Sequence, residues 1–227
     1  MTPSSPTFTP PPADCTLCPR LRDYLKIHAK AHPEWHNAPV DAMGSLNARI
    51  LIVGLAPGLK GANATGRPFT GDSAGGYLFE MLGRYGMANG TYGGHADDGI
   101  TLDDVRITNA VRCVPPQNKP TAAETHNCRP FLVEEIMAMP NIKVVLALGR
   151  LAHDAVLRAT GYRHADYPFA HASHHHIASK MANGKERPLQ LISSYHCSRY
   201  NTQTRRLTDD MFSHIFNMIK DVVKLIN

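Results

Sequence analysis

The run Arg49-Ile-Leu-Ile-Val-Gly54 constrains the fold more than any other segment of this chain. It is short, continuously apolar rather than alternating, rich in β-branched residues, and it stops at Gly54-Leu-Ala-Pro-Gly58. A strand buried on both faces and closed by a tight turn has this pattern, and such strands belong to parallel sheets covered by helices. Read onward for β–α alternation, the chain continues with a Gly-rich loop over 54–72. Ser73 then reads as the N-cap of a helix whose apolar face is Leu78, Met81, Leu82 and Tyr85. A Gly- and Asp-rich loop over 86–99 leads to a second strand at 105–111 and a Pro-broken connection at 113–120. Thr121 with Glu124 forms a capping box that opens a helix running to about Met139. A third strand over 144–148 is followed by a helix over 151–159. Residues 161–187 read as irregular and His-rich, and 189–193 as a fourth strand. Leu207, Met211, Ile215, Met218, Ile219 and Val222 recur at helical spacing and predict a C-terminal amphipathic helix. The expected fold class is α/β, a three-layer α/β/α arrangement around a central four-stranded parallel sheet, with no internal repeat. Ligands of such sheets bind beyond the carboxyl ends of the strands, where the loops starting at Gly54, Asn109 and Ser194 all emerge.

At 227 residues the chain is long enough for one such domain. Residues 1–13, rich in Pro, Ser and Thr, read as a disordered lead-in to a single domain over 14–227. No apolar run has the length of a membrane span, and the N-terminus has no charged region followed by an apolar one. The chain is therefore expected to be a cytoplasmic monomer with no membrane partner. The net charge of +5 suits a polyanion partner, but many basic proteins bind no nucleic acid.

Without an export signal the five cysteines are not expected to form disulfides. Cys15 and Cys18 form a C-x-x-C pair, and Cys113 and Cys128 form a second pair far along the chain. Two such pairs can converge on one site. Four thiolates suit a zinc ion or an iron–sulfur cluster; four unrelated buried thiols are the bland alternative. The site would first be structural, tying the N-terminal segment to the middle of the domain. Cys197 stands outside this set and reads as a packed or pocket-lining thiol.

Two glycines and three polar or aromatic residues sit where chemistry is expected. The glycines Gly54 and Gly58 allow backbone N–H groups to approach an anion, or serve only to turn the chain. Phe69 in Gly-Arg-Pro-Phe-Thr-Gly-Asp72 reads as a loop-packing aromatic, Asn109 as a strand-end turn former, and His196 as a solvent-facing His. Taken together they resemble something more specific. Gly-Leu-Ala-Pro-Gly, Gly-Arg-Pro-Phe-Thr-Gly-Asp, Ile-Thr-Asn-Ala-Val-Arg-Cys and Ser-Tyr-His-Cys-Ser-Arg-Tyr-Asn resemble the ordered motifs of the uracil-DNA glycosylase superfamily. Cys-Thr-Leu-Cys-Pro-Arg-Leu and Asn-Cys-Arg-Pro-Phe-Leu resemble the cysteine segments of its iron–sulfur branches, family 5 (type b) above all. The resemblance spans residues 15–207.

The resemblance implies a monofunctional glycosylase that flips a damaged nucleotide out of DNA and removes its base. It implies a [4Fe–4S] cluster on Cys15, Cys18, Cys113 and Cys128, with zinc as the alternative. Phe69 would stack on the base, Asn109 would read its amide-like edge, and His196 would stabilise the charge that develops on the departing base. Backbone groups of Gly54, Ala56 and Gly58 would help to place the base. Ser198, Arg199, Tyr200, Asn201 and Arg205 would contact the DNA, with Arg206 close by. Ala56 stands where some families carry a carboxylate or Asn. The resemblance then points to Asp72 as the water-positioning residue, and a helix N-terminal acid beside Ser73 is the equal alternative. Tyr195 and Cys197 depart from the Pro or Val common in related enzymes. No Lys stands out as a Schiff-base nucleophile, so hydrolysis without strand cleavage is expected. The implied substrates are DNA bearing uracil or other deaminated bases such as hypoxanthine and xanthine; an Ala at position 56 is compatible with that breadth. A non-catalytic damaged-base-binding module is the second reading. An iron–sulfur electron-transfer or nucleotide-cofactor protein is the third, weakened by the absence of a full dinucleotide fingerprint after Gly54. His171, His174, His175 and His176 read as part of a solvated loop, with metal binding as the alternative.

Overall fold

The computed structural model describes residues 8–225. In chain order the elements are α1 (Pro19–Ala31), β1 (Ile50–Gly54), the short α2 (Ala62–Thr65), α3 (Ser73–Arg84), β2 (Ala88–Asn89), β3 (Thr101–Leu102), β4 (Val105–Asn109), α4 (Ala122–Ala138), β5 (Val144–Leu148), α5 (Arg150–Ala159), β6 (His174–Lys180), β7 (Glu186–Ser194), α6 (Arg199–Gln203) and α7 (Asp209–Leu225). The main sheet has the order β4-β1-β5-β7-β6. The four expected parallel strands are β1, β4, β5 and β7. Alternate residues of each strand serve opposite cores. Ile50, Ile52 and Ile107 meet α3 and α7, whereas Leu51, Val53 and Val145 meet α4 and α5. This double burial is why β1 reads as an unbroken apolar run, and it produces the three-layer α/β/α fold.

The structure corrects the sequence reading in several places. The segment 161–187 is not irregular throughout: His174–Lys180 is a fifth strand, antiparallel to β7 at the sheet edge. Its outward residues are polar apart from Ala178, and Ile177 and Ser179 are its buried members, so it carries almost no apolar signature. His174, His175 and His176 therefore lie in a strand rather than a solvated loop. The loop over 86–99 contains β2, which pairs with β3 in a small separate sheet. Helix α1 was not expected; its buried stripe is only Leu21 and Leu25, one turn apart, with Pro19 at its first turn. The N-cap of α3 is Asp72, one residue before Ser73. The capping box at Thr121 and Glu124 is present as read.

The expected lead-in falls partly on residues 1–7, which lie outside the described residues. Residues 8–13 form neither helix nor strand; Pro11 is nevertheless buried.

Candidate active site

The chain leaves β1 to place β4 on one side of it and β5 on the other. The carboxyl end of β1 is thus the topological switch point of the sheet, where a crevice forms. Gly54 and Asn109 are register partners at that edge. His196 follows the end of β7, where Gly149 donates its N–H to the Ser194 carbonyl at 2.8 Å. Phe69, Asn109 and His196 come together on the wall of one cavity of about 350 Å³, shared with Ala56, Gly58 and Asp72.

Close packing holds this group in place. A Cβ on Gly54 would lie 2.7 Å from Phe69 Cζ and closer still to Asn109 Oδ1, so Gly54 stands behind both side chains and lets them meet. Phe69 is itself in the left-handed region at φ +51°. A bulky residue there stores strain of about 1–3 kcal/mol and persists only when its surroundings impose it. Here Arg67 forks onto Asp98 with both bonds at 2.6 Å and donates through Nε to Thr70 Oγ1 at 2.8 Å. The guanidinium holds the Asp98 carboxyl well below the usual carboxylate range. Tyr92 accepts from the Gly71 N–H at 3.1 Å and donates to the Phe69 carbonyl.

The Asn109 side chain is buried, and its amide has no hydrogen-bond partner among the described residues, which leaves donor and acceptor for a ligand. The rings of Phe69 and His196 are 5.9 Å apart and 23° from parallel. Burial lowers the His196 pKa, with the charge of Asp72 acting the other way. Its imidazole is therefore neutral near pH 7 and can donate an N–H. Asn201 Nδ2 donates to the His196 carbonyl at 2.8 Å, and His171 Nδ1 accepts from the Tyr195 N–H at 3.2 Å, so the backbone is tied on both sides of the catalytic candidate.

Asp72 takes the helix-terminal place that one of its two sequence readings gave it. Oδ1 caps α3 by accepting from the Gly75 N–H at 2.9 Å. Oδ2 lies over the loop after β1, where a Cβ on Gly61 would be 2.8 Å away and one on Gly58 3.2 Å. The residue is exposed at the rim of the cavity. Cys197 is fully buried beneath, donates to the Ala74 carbonyl, and has its thiol pushed up to about 12 by burial. That is the packed thiol expected.

The DNA-contact candidates divide. Ser198 and Arg199 line the cavity mouth, and Ser198 also caps α6. Tyr200 beside them is 71% exposed. Arg205 instead lines a separate surface hollow with Tyr77 and Asp209, and Arg206 sits 4.7 Å over the Tyr195 ring. The sequence reading missed Asn118, which lines the cavity of Phe69, Asn109 and His196 from the loop before α4. Gln117 and Asn118 are consecutive left-handed residues, at φ +55° and +56°. The Pro115-Pro116 that precede them were the available signal.

The four cysteines of the two pairs line a second cavity, of about 280 Å³. Burial and the neighbouring thiolates push Cys113 up to about 12 and Cys128 up to about 11. Such thiols ionise together only when a cation shares the site. Among the described residues no three His, Cys, Asp or Glu side chains close on a point as ligands of a single ion. Arg20 forks onto Glu124 at 2.7 and 2.6 Å, tying α1 to the start of α4 beside this cavity. Ala56 lines the cavity of Phe69, Asn109 and His196 and also packs against the cluster that holds Cys18, Cys113 and Cys128, so the two hollows share a wall.

Comparison with known proteins agrees with this geometry. The family model described as the uracil DNA glycosylase superfamily matches residues 42–220. A type-5 uracil-DNA glycosylase of Thermus thermophilus is 40% identical over 217 residues, covering 93% of this chain and 94% of that one. Proteins of the same name from Pyrobaculum aerophilum and Mycobacterium leprae are each 38% identical, covering 89% and 91% of this chain and 86% and 90% of their own lengths. With a matching family model over most of its length, and a cavity built where that family's motifs fall, this chain belongs to the uracil-DNA glycosylase superfamily.

Proposed function

We propose that this chain excises uracil from DNA by hydrolysing the N-glycosidic bond, and that it also accepts other deaminated bases such as hypoxanthine and xanthine. One observation carries the reading: an aromatic ring, an unspent amide and a neutral imidazole, brought from two loops and a strand end at the sheet edge, line one base-sized cavity. A base stacked in a duplex cannot reach such a hollow, so the nucleotide is swung out. Phe69 stacks on the base, and Asn109 reads its edge with one donor and one acceptor. As the bond breaks, negative charge collects on the base, and the His196 N–H stabilises it. Asp72 Oδ2, at the open rim, holds the attacking water and faces the positive charge developing on the sugar. Arg199 and Tyr200 beside the mouth contact the DNA strand at the vacated position. Ala56, with its small side chain, leaves room for a purine and supports the broader range. All these groups come from a single chain, as a monomer requires.

Cys15, Cys18, Cys113 and Cys128 fit a [4Fe–4S] cluster. Their donor chemistry is all thiol, which suits a cluster or a zinc ion, and the likeness of their segments to the iron–sulfur branches of the superfamily favours the cluster. When bound, the cluster supplies a staple between the N-terminal segment and the loop that begins at Asn109, four positions before Cys113.

The test is release of free base from a uracil-containing oligonucleotide, with a panel of deaminated bases alongside. His196→Ala and Asn109→Ala are expected to lose about 10²–10³-fold in rate. Binding without release in the wild-type protein would leave a damaged-base-binding module and refute the catalytic reading.

A further inference from the structure

Two guanidinium groups and one carboxylate are buried together behind the cysteine cavity. Glu135, with 0% exposure, accepts from Arg106 Nε at 2.6 Å, from Thr108 Oγ1 at 2.9 Å, and from Arg112 Nη2. Arg106 is 8% exposed and Arg112 only 1%. One carboxylate balances one guanidinium, so the group keeps one uncompensated positive charge in a dry interior, where an isolated charge is costly. The surplus has a direction. Arg112 Nε and Nη1 are buried with no hydrogen-bond partner among the described residues. The same residue lines the cavity with all four cysteines and donates its backbone N–H to Cys128 Sγ at 3.4 Å.

We propose that Arg112 is the internal counter-ion of the anionic group held by Cys15, Cys18, Cys113 and Cys128, and that Glu135 sets how much of that positive charge the group feels. This rests on the cluster reading above. A four-thiolate iron–sulfur cluster is a net anion that becomes more negative on reduction. Local charge and hydrogen bonds to sulfur are among the quantities that set its potential. A buried cation at its edge stabilises the reduced form more than the oxidised form. It therefore raises the potential and resists oxidative loss of the cluster.

The full chain, purified without oxygen, is first assayed for iron, sulfide and visible absorption. Wild-type protein without iron sinks the cluster reading and this inference with it; iron-loaded wild-type protein lets the variants test the inference alone. Arg112→Met, Arg112→Lys and Glu135→Gln are then compared by midpoint potential, by rate of bleaching with ferricyanide, and by thermal melting. Arg112→Met is expected to lower the potential and bleach several-fold faster. Glu135→Gln, which unmasks the guanidinium, is expected to raise the potential and bleach several-fold slower. Arg112→Lys, which keeps the charge, stays near wild type. A purely structural role predicts that Arg112→Met and Glu135→Gln both loosen the core and bleach faster together. Shifts in the same direction, or no shift in folded, iron-loaded variants, overturn the proposal. If Arg112→Met does not fold, the direction of the Glu135→Gln shift decides: a rise supports the proposal, and a fall or no change overturns it.

Discussion

Gly54→Ala adds a methyl group against both the ring proposed to stack on the base and the amide proposed to read it. Its Cβ would fall 2.7 Å from Phe69 Cζ and nearer still to Asn109 Oδ1, whereas ordinary contact starts near 3.4 Å. The ring must retreat by ~0.7 Å and the amide by ~1 Å, and misplacements of ~1 Å cost ~10²-fold in rate when geometry carries the reaction. Phe69 cannot yield cheaply, because its left-handed backbone is held between the Arg67–Asp98 fork and Tyr92. The fold itself loses only about 1–3 kcal/mol, the usual cost of overpacking. Single-turnover release of uracil from an oligonucleotide is therefore expected to slow by about 100-fold, in protein whose melting temperature falls by a few degrees. Gly76→Ala is the matched control. Its Cβ meets only Tyr92 Cε1 at 3.7 Å, within α3, so activity should hold and stability should rise by up to about 1 kcal/mol. Gly54→Ala protein that releases uracil within about threefold of wild type would refute the claim that this contact positions the two side chains.

Three further outcomes are expected. Burial depresses the folded-state pKa of His196 while Asp72 opposes it, so the unfolded chain takes up the proton first. Stability then declines as pH falls below the ordinary histidine value of about 6.5, and the acid limb of the activity profile, normalised to its own plateau, moves to lower pH in Asp72→Asn; a move to higher pH would contradict the assignment. Asp98→Asn strands the buried Arg67 guanidinium without its carboxylate and should cost about 3–5 kcal/mol in denaturant unfolding; a loss under about 1 kcal/mol would mean the fork does not hold the loop. Cys113→Ser should abolish visible absorption and lower the melting temperature, and wild-type iron content in this variant would remove Cys113 from the ligand set.

Much of the fold was legible because its signals are local. The strands β1 and β5 are apolar runs buried on both faces, β4 and β7 carry apolar residues among polar ones, and the capping box at Thr121 is a three-residue spacing. The chemical candidates Phe69, Asn109 and His196 were legible through ordered motifs, each at a strand end or in the loop after one. What escaped depends on partners distant in the chain. His174–Lys180 becomes a strand because β7 offers it an edge, not because its residues favour one. Helix α1 has only two buried leucines, and Leu21 packs in a cluster with Val111 and Cys128. Asn118 enters the base cavity through two left-handed residues that no periodicity announces.

From its amino acids alone this chain is a doubly covered parallel sheet with chemistry at its carboxyl edge, since burial pattern and turn chemistry are written residue by residue. Only tertiary structure decided that Arg67 clasps Asp98 behind Phe69, that Asn201 ties down the His196 carbonyl, and that Arg106, Glu135 and Arg112 gather behind the cysteines. Those pairings join residues 5 to 31 positions apart, and whether they meet is settled by how the layers pack rather than by any local preference of the backbone.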